Sequence, residues 1–192
     1  MTEALTGPED YKLLNTNNIK FITFNYDRLL ENFLAVSMQN SFSHFRNEVL
    51  EKVKQMSIEH VYGKLGLLPW QADPSNESNI FNYGNDCTYY QIEKFIKNLK
   101  LIQDRGSLEN VHIKEWIKNA RRIFFLGFGY ADENLKVLNI PEILNPNQEI
   151  YGTAFGMSKK EISKIKAKFT NLEHDTSYIL DTDCLTLLRE YL

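Results

Sequence analysis

The chain has 192 residues and a net charge of −3, and its length suits one domain with a sizeable core, which predicts a single domain over residues 1–192. Because an acidic protein lacks a broad phosphate-binding surface, we expect no nucleic acid among its partners. The two cysteines, Cys87 and Cys184, lack metal-ligand spacing and no apolar run reaches the length of a membrane span, so we expect a cytoplasmic protein with no bound metal and no membrane anchor.

The first third of the chain predicts a strand followed by a helix. Residues 1–18 are polar and broken by Gly7-Pro8, which predicts a loose lead-in. Ile19–Phe24 is apolar and rich in β-forming residues, and it predicts the first strand. Apolar residues then recur at helical spacing, at Leu29, Leu30, Phe33 and Leu34. Asp27 is placed to cap this helix.

The middle of the chain predicts another helix and strand, then a long excursion from the sheet. Residues 40–56 carry a helical face, and His60–Tyr62 predicts the second strand. Residues 67–120 begin as a loop rich in proline and asparagine and continue as two helices. These helices are predicted at Cys87–Ile102 and Ser107–Ala120. The side chains that they are predicted to bury are Ile92, Phe95, Ile96, Leu99, Ile113, Trp116 and Ile117.

The last third of the chain alternates strands with helices. Strands are predicted at Ile123–Leu126, Ile150–Phe155 and Ser177–Leu180. Helices are predicted around Asn134–Leu138, after a capping box at Ser158–Glu161, and at the C-terminus. Because strands that alternate with helices form parallel sheets, the predicted fold is α/β, a mostly parallel sheet with helices on both faces.

Polar or glycine residues stand where three of the predicted strands end. Asn25 and Asp27 follow the first strand, Gly63 follows the second, and Gly127 and Gly129 follow the third. Open α/β sheets bind ligands at the carboxyl ends of their strands, so these residues predict one shared ligand cleft. The alternative is structural: asparagine and aspartate also end strands and cap helices, and glycine also serves tight turns.

These strand ends resemble a family. The stretch Phe21–Glu31 resembles the threonine-asparagine-tyrosine-aspartate signature of bacterial sirtuin-like (silent-information-regulator-like) domains, through Thr23, Asn25, Tyr26, Asp27 and Glu31. Tyr62–Gly66 stands where those domains carry a histidine-glycine pair, and Leu126–Tyr130 resembles their glycine-rich strand end. Tyr151–Gly156 is similar to the strand that follows, so the resemblance extends from Ile19 to Phe169.

The resemblance implies a truncated Rossmann-like fold that binds NAD and, when complete, hydrolyses it to nicotinamide and ADP-ribose in bacterial antiviral defence. It implies that Asn25 contacts the ribose or positions a water, and that Asp27 holds the carboxamide or orients the loop. His60 or Tyr62 would accept the proton, although a tyrosine hydroxyl with a pKa of about 10 is a poor base. The residues that it assigns to NAD binding are Thr23, Gly63, Gly127, Phe128, Gly129, Tyr130 and Asn134.

Two departures from the family keep a second interpretation open. Residues 1–18 contain no counterpart of the family's glycine-rich phosphate loop, and Tyr62 replaces its histidine. The chain therefore corresponds to the C-terminal portion of such a domain or to a natural truncation. The competing hypothesis is a non-catalytic module that binds a nucleotide fragment, forms a homo-oligomer or contacts a partner chain. In that case His60 is structural, Tyr62 is a packed aromatic, and Glu31 is solvated or ion-paired with lysine or arginine.

Overall fold

The structure, a computed structural model, describes residues 12, 18–72, 80–81, 88–97, 99, 111–169, 172 and 177–192. The chain divides into two compact units, residues 1–108 and 109–192. The lead-in predicted for residues 1–18 lies almost wholly outside the described residues, and the single domain over residues 1–192 stays a prediction.

The first unit contains a two-stranded parallel sheet. Strand β1, Lys20–Thr23, pairs with strand β2, Ser57–His60, so that Thr23 stands opposite His60. The elements between the strands are helix α1 (Leu29–Ser41), a short 3-10 helix (Ser43–Phe45) and helix α2 (Arg46–Lys54). Among the residues of this unit that the structure describes, the buried apolar side chains are Ala35, Val49, Val53, Val61, Leu68 and Phe95.

The end of the second strand differs from its prediction. Strand β2 ends at His60 and not at Tyr62, because the backbone turns at Gly63, which has a φ of 79° and donates its N–H to the His60 carbonyl at 3.2 Å. A 3-10 helix, Pro69–Gln71, and helix α3, Tyr89–Lys97, follow.

Helix α3 buries Phe95, but Ile92 and Ile96 are 44% and 59% exposed, so their predicted burial is wrong. Ile96 is turned by about 100° from Phe95 around the helix axis, which takes it off the buried stripe. Ile92 lies one turn before Ile96 on the same exposed side.

The second unit contains a three-stranded parallel sheet in the order β3-β4-β5. The strands are β3 (Arg122–Phe125), β4 (Glu149–Thr153) and β5 (Ser177–Leu180), and the helices are α4 (Val111–Asn119), α5 (Asp132–Val137), α6 (Lys159–Lys166) and α7 (Cys184–Tyr191). Phe124, Tyr151 and Tyr178 stand opposite one another in this register, with ring centroids 4.9 and 5.0 Å apart. Ile113 and Ile117 of α4 are buried as predicted.

These elements confirm the predicted α/β fold with parallel strands. The five strands of the described ranges pair only in parallel, within two sheets. The capping box is also confirmed, since the Ser158 hydroxyl accepts from the Glu161 N–H and the Glu161 carboxylate accepts from the Ser158 N–H. Each unit has its own tryptophan, Trp70 in the first and Trp116 in the second.

Candidate functional site

An open cleft of about 360 Å³ lies at the end of strand β1 in the first unit. Its lining residues are Thr23, Asn25, Asp27, Leu29, Leu30 and Phe33. Three of the site residues predicted from the sequence therefore share one surface. Leu29 and Phe33 are 59% and 64% exposed, so the polar groups face an accessible apolar wall.

The segment that carries these polar groups is held by short local hydrogen bonds. The Thr23 hydroxyl oxygen accepts the Asn25 N–H at 3.1 Å. The Asp27 carboxylate accepts the Leu29 N–H at 2.9 Å, but the N-cap of α1 is Arg28, so Asp27 satisfies the first N–H of the helix from one residue before the predicted cap position. The side-chain amide of Asn25 is exposed and makes no hydrogen bond to any residue that the structure describes. The Asn25 amide and the second oxygen of the Asp27 carboxylate are thus placed to bind a ligand in the cleft.

A buried network of ionisable side chains lies directly behind this segment. Arg28 is completely buried and donates from Nε to Glu31 Oε1 at 2.9 Å. The same oxygen of Glu31 is 2.8 Å from Nε2 of His60, and Nδ1 of His60 is 2.7 Å from the backbone carbonyl oxygen of Asn25. The network therefore connects α1, the end of β2 and the residue that lines the cleft.

Arg28 also fixes the segment that follows strand β2. Its guanidinium donates to the carbonyl oxygens of Leu65 and Gly66 and, at 2.7 Å, to the side-chain oxygen of Gln71. Such a planar donor group satisfies several acceptors at fixed angles, which a lysine does not do. The two loops after β1 and β2 are thereby held together from inside.

Glu31 is the negative centre of this network. Burial raises the pKa of the Glu31 carboxyl, but the hydrogen bond from His60 and the positive charge of Arg28 lower it by more, so the net pKa lies below its usual value. Its second oxygen, Oε2, is buried without a hydrogen-bond partner among the described residues. The prediction of an ion pair for Glu31 is confirmed, although the pair is buried and not solvated.

The other residues predicted after strand β2 do not line the cleft. His60 is 8% exposed, and both of its ring nitrogens are engaged in the network. Tyr62 packs edge-on against Phe24, with ring centroids 5.6 Å apart, and Gly63 forms the turn. The catalytic roles of His60 and Tyr62 stay predictions, and neither residue is among those that surround the cleft.

In the second unit, the glycine-rich turn after β3 is bonded to its own neighbours. Gly127 has a φ of 60° and donates its N–H to the Thr153 hydroxyl at 2.9 Å. The Tyr130 hydroxyl donates to the Thr153 carbonyl at 3.1 Å, and Tyr130 is 2% exposed. Burial raises the pKa of the Tyr130 hydroxyl, which keeps it a neutral donor.

The close approach of Tyr130 explains the glycine in strand β4. A Cβ atom built on Gly152 would lie 2.1 Å from the Tyr130 hydroxyl and 2.8 Å from Ile179 Cδ1. Gly129 differs, since a Cβ there would meet no atom within 4 Å and its φ is not positive. Gly152 is therefore required by packing, whereas Gly129 has open space beside it.

Helix α5, which follows this turn, begins with acidic residues. Asp132 and Glu133 occupy its first turn, and Lys168 donates to the Asp132 carboxylate at 2.6 Å and to the Tyr130 carbonyl at 2.8 Å. Carboxylates at a helix N-terminus occupy the position that favours an anion. Phe128 packs against Phe125, and Asn134 lies within α5, so the assignment of this turn to NAD binding stays a prediction.

Comparisons of this chain with family models, with curated proteins and with solved structures find no significant match. None of the helices within the described ranges has the length and apolar character of a membrane span. No group of three histidine, cysteine or acidic side chains that could hold a metal is found in the part of the chain that the structure describes.

Sequence reasoning missed Arg28 and Gln71, whose side chains help to connect the segments after β1 and β2. Arg28 and Glu31 are three positions apart at the start of a helix, a spacing that ordinarily indicates a solvated ion pair. The histidine that completes the network comes from a strand 29 positions further along the chain, and no local pattern links it to the pair.

Proposed function

We propose that the first unit binds NAD through the cleft at the end of β1 and that the complete protein hydrolyses it to nicotinamide and ADP-ribose. The observation that supports this proposal is the convergence of Thr23, Asn25 and Asp27 on one open cleft. Its volume of about 360 Å³ is at the low end of small-molecule sites, about 300–1,000 Å³, and suits the nicotinamide and its ribose.

The chemistry of this hydrolysis suits an amide and a carboxylate. The bond between ribose C1′ and the pyridinium nitrogen breaks, its electron pair leaves with nicotinamide, and water adds to C1′ and releases one proton. Because the leaving group is already cationic, its departure neutralises it and needs no general acid. The site must instead orient water and stabilise the positive charge that develops on the sugar.

Each polar residue of the cleft has a role in this proposal. The Asn25 amide, which has no partner within the described ranges, would hold the ribose or the attacking water. The Asp27 carboxylate, fixed by its hydrogen bond from the Leu29 N–H, would place negative charge beside the developing cation. The exposed side chains of Leu29 and Phe33 offer an apolar wall to the nicotinamide ring.

A second function, binding without hydrolysis, is favoured by one observation. His60, the histidine of the buried network, has both of its ring nitrogens engaged in hydrogen bonds. It is therefore poorly placed to take a proton from water. A protein that binds NAD or ADP-ribose as a signal would keep the same cleft and need no base. A cytoplasmic location, in keeping with the unpaired thiol of Cys184, belongs to both proposals.

The test is release of nicotinamide from NAD by the purified 192-residue chain. We expect Asn25→Ala to lower the rate about 100-fold or more, because a group aimed at the reacting centre is removed. Asn40→Ala is the matched control, since Asn40 is an exposed asparagine of α1 that does not line the cleft. Equal rates in wild type and Asn25→Ala would reject catalysis by this chain alone.

Calorimetric titration with NAD and with ADP-ribose separates the two functions. Binding that Asn25→Ala weakens, without nicotinamide release by the wild type, would favour the non-catalytic module. Binding that is absent in the wild type would reject both functions for the chain alone.

A further inference from the structure

We propose that His60 is a positioning residue, an imidazolium held between the Glu31 carboxylate and the backbone carbonyl of Asn25, that fixes Asn25 at the edge of the cleft. The kinetic part of this inference rests on the proposed function of Asn25. The protonation and hydrogen bonding of His60 do not, and they can be measured whether or not the chain hydrolyses NAD.

The hydrogen-bond partners of the ring determine its protonation. Nδ1 lies 2.7 Å from the carbonyl oxygen of Asn25, and a carbonyl has no hydrogen to give, so Nδ1 must donate. Nε2 lies 2.8 Å from Glu31 Oε1, and an ionised carboxylate likewise only accepts. Both nitrogens then carry a hydrogen, and the ring is positively charged.

The charges around the ring are consistent with an ionised Glu31. The oxygen that faces Nε2 also accepts a hydrogen bond from Nε of Arg28, whose guanidinium is always charged. Lys64, which follows β2, is attracted by the carboxylates of Glu31 and Glu59 and repelled by the guanidinium of Arg28. Two buried cations, Arg28 and His60, thus share one carboxylate, and Glu31 is the group that keeps both of them in place.

The consequence for Asn25 follows from where the network attaches. The carbonyl of Asn25 accepts from the charged ring, and its N–H donates to the Thr23 hydroxyl at 3.1 Å. The backbone of Asn25 is therefore held on both sides, while its side chain is unbonded within the described ranges and takes its direction from that backbone. A charged donor makes a stronger hydrogen bond than a neutral one, which suits a positioning role.

The first experiment is nitrogen-detected NMR of the 192-residue chain with ¹⁵N-labelled histidine at pH 7.5. An ordinary imidazole with a pKa of about 6.5 is mostly neutral there. We expect one of the four histidines to show two protonated ring nitrogens, and we expect His60→Gln to remove that signal. A His60 ring with one unprotonated nitrogen would overturn the proposal.

The second experiment replaces each end of the network. In Glu31→Gln the introduced amide donates to Nε2, so we expect a neutral ring that keeps a weaker Nδ1–H bond to Asn25 and a kcat that falls by less than it does in His60→Phe. In His60→Phe both bonds are lost, and we expect kcat for NAD to fall about 100-fold with little change in KM, the loss typical of a misplaced group. His44→Phe, at an exposed histidine, is the matched control.

The outcomes distinguish positioning from base catalysis. If His60 acted as the base, a neutral ring in Glu31→Gln would raise the rate near neutral pH, and this result would overturn the proposal. Should His60→Phe not fold, His60→Gln and the wild-type spectrum decide the question. If the wild type does not hydrolyse NAD, the proposed function fails, and the inference is then decided by the ring signals together with the carbonyl ¹³C shift of Asn25, which should move in His60→Gln.

Discussion

Thr23 and Thr153 each end a parallel strand, and each hydroxyl accepts a backbone N–H from a loop that follows a strand. Thr23 holds the N–H of Asn25 in its own loop at 3.1 Å, and Thr153 holds that of Gly127, after the neighbouring strand β3, at 2.9 Å. Thr23 lines an open cleft, whereas Thr153 is 5% exposed. The same local device therefore leaves one strand end accessible and the other closed.

The difference lies in what covers each threonine. The Tyr130 ring lies over the second unit's strand end and donates to the Thr153 carbonyl, and the glycine at position 152 gives it room. No aromatic ring lies over Thr23 in the same way among the described residues that line the cleft of the first unit. Asn25 and Asp27 therefore line an open cleft. The polar side chains of Asn25 and Asp27 therefore mark the accessible edge, whereas Gly127 and Gly152 serve backbone geometry and packing.

The largest stability effect should come from Gly152→Ala, which tests whether Tyr130 closes the second strand end. The added Cβ would meet the Tyr130 hydroxyl and Ile179, so we expect a loss of about 1–3 kcal/mol in the free energy of unfolding. Denaturant unfolding followed by Trp116 fluorescence measures it, in a Trp70→Phe background. Gly129→Ala is the control, and a Gly152→Ala variant as stable as this control would show that Tyr130 does not cover the strand end.

A matched pair of threonine substitutions should sharpen the comparison with a smaller effect. Thr153→Val removes the acceptor of a part-buried N–H, and we expect a loss of about 0.5–1.5 kcal/mol in the free energy of unfolding. Thr23→Val should change stability less, because water replaces its hydroxyl at the open cleft, and should weaken NAD binding more than Asn40→Ala does. Titration calorimetry and unfolding curves of both variants check this. The reverse pattern would mean that the two strand ends have been assigned the wrong way round.

The smallest loss of stability is expected from acidification. Burial opposes the ionisation of Glu31 and cancels part of the stabilisation that its carboxylate receives from His60 and Arg28. The pKa of Glu31 is lowered in the folded protein, so its contribution to stability is complete above its unfolded pKa and is lost as pH falls through the folded pKa.

Single-tryptophan variants separate the two units in this measurement. We expect the Trp70 signal of Trp116→Phe to lose more stability below about pH 4 than the Trp116 signal of Trp70→Phe, since about pH 4 is where an ordinary glutamate titrates. The carboxylates with lowered pKa values in the second unit, Asp132, Glu161 and Asp183, are exposed and contribute less. The difference should disappear in Glu31→Gln, and equal acid sensitivity of the two wild-type units would contradict the role given to Glu31.

The strands and most helices were accessible to sequence reasoning because their signals are local. Ser177–Leu180 is predicted to the residue, and the capping box at Ser158–Glu161 is confirmed, since each depends on neighbours within a few positions. The exposure of Ile92 and Ile96 could not be predicted in this way. An apolar pattern shows that a helix has an apolar stripe, but it does not show which part of that stripe another element covers.

The candidate site was predictable to a similar extent and for the same reason. Thr23, Asn25 and Asp27 lie within five consecutive residues, and their shared cleft follows from one strand end. The charged network behind them joins Arg28 to a histidine on another strand, and only tertiary packing brings them together. A buried arginine contradicts the usual exposure of this residue type, so composition gives no warning of it.

The stacked rings of Phe124, Tyr151 and Tyr178 give the second unit an optical signature of its own. Their planes are within 16° of parallel from one strand to the next, so their electronic transitions couple. A slip of β4 by one residue would replace Tyr151 with Ile150 or Gly152 in this column and abolish the coupling. Near-ultraviolet circular dichroism can therefore follow strand alignment in this unit without any added label.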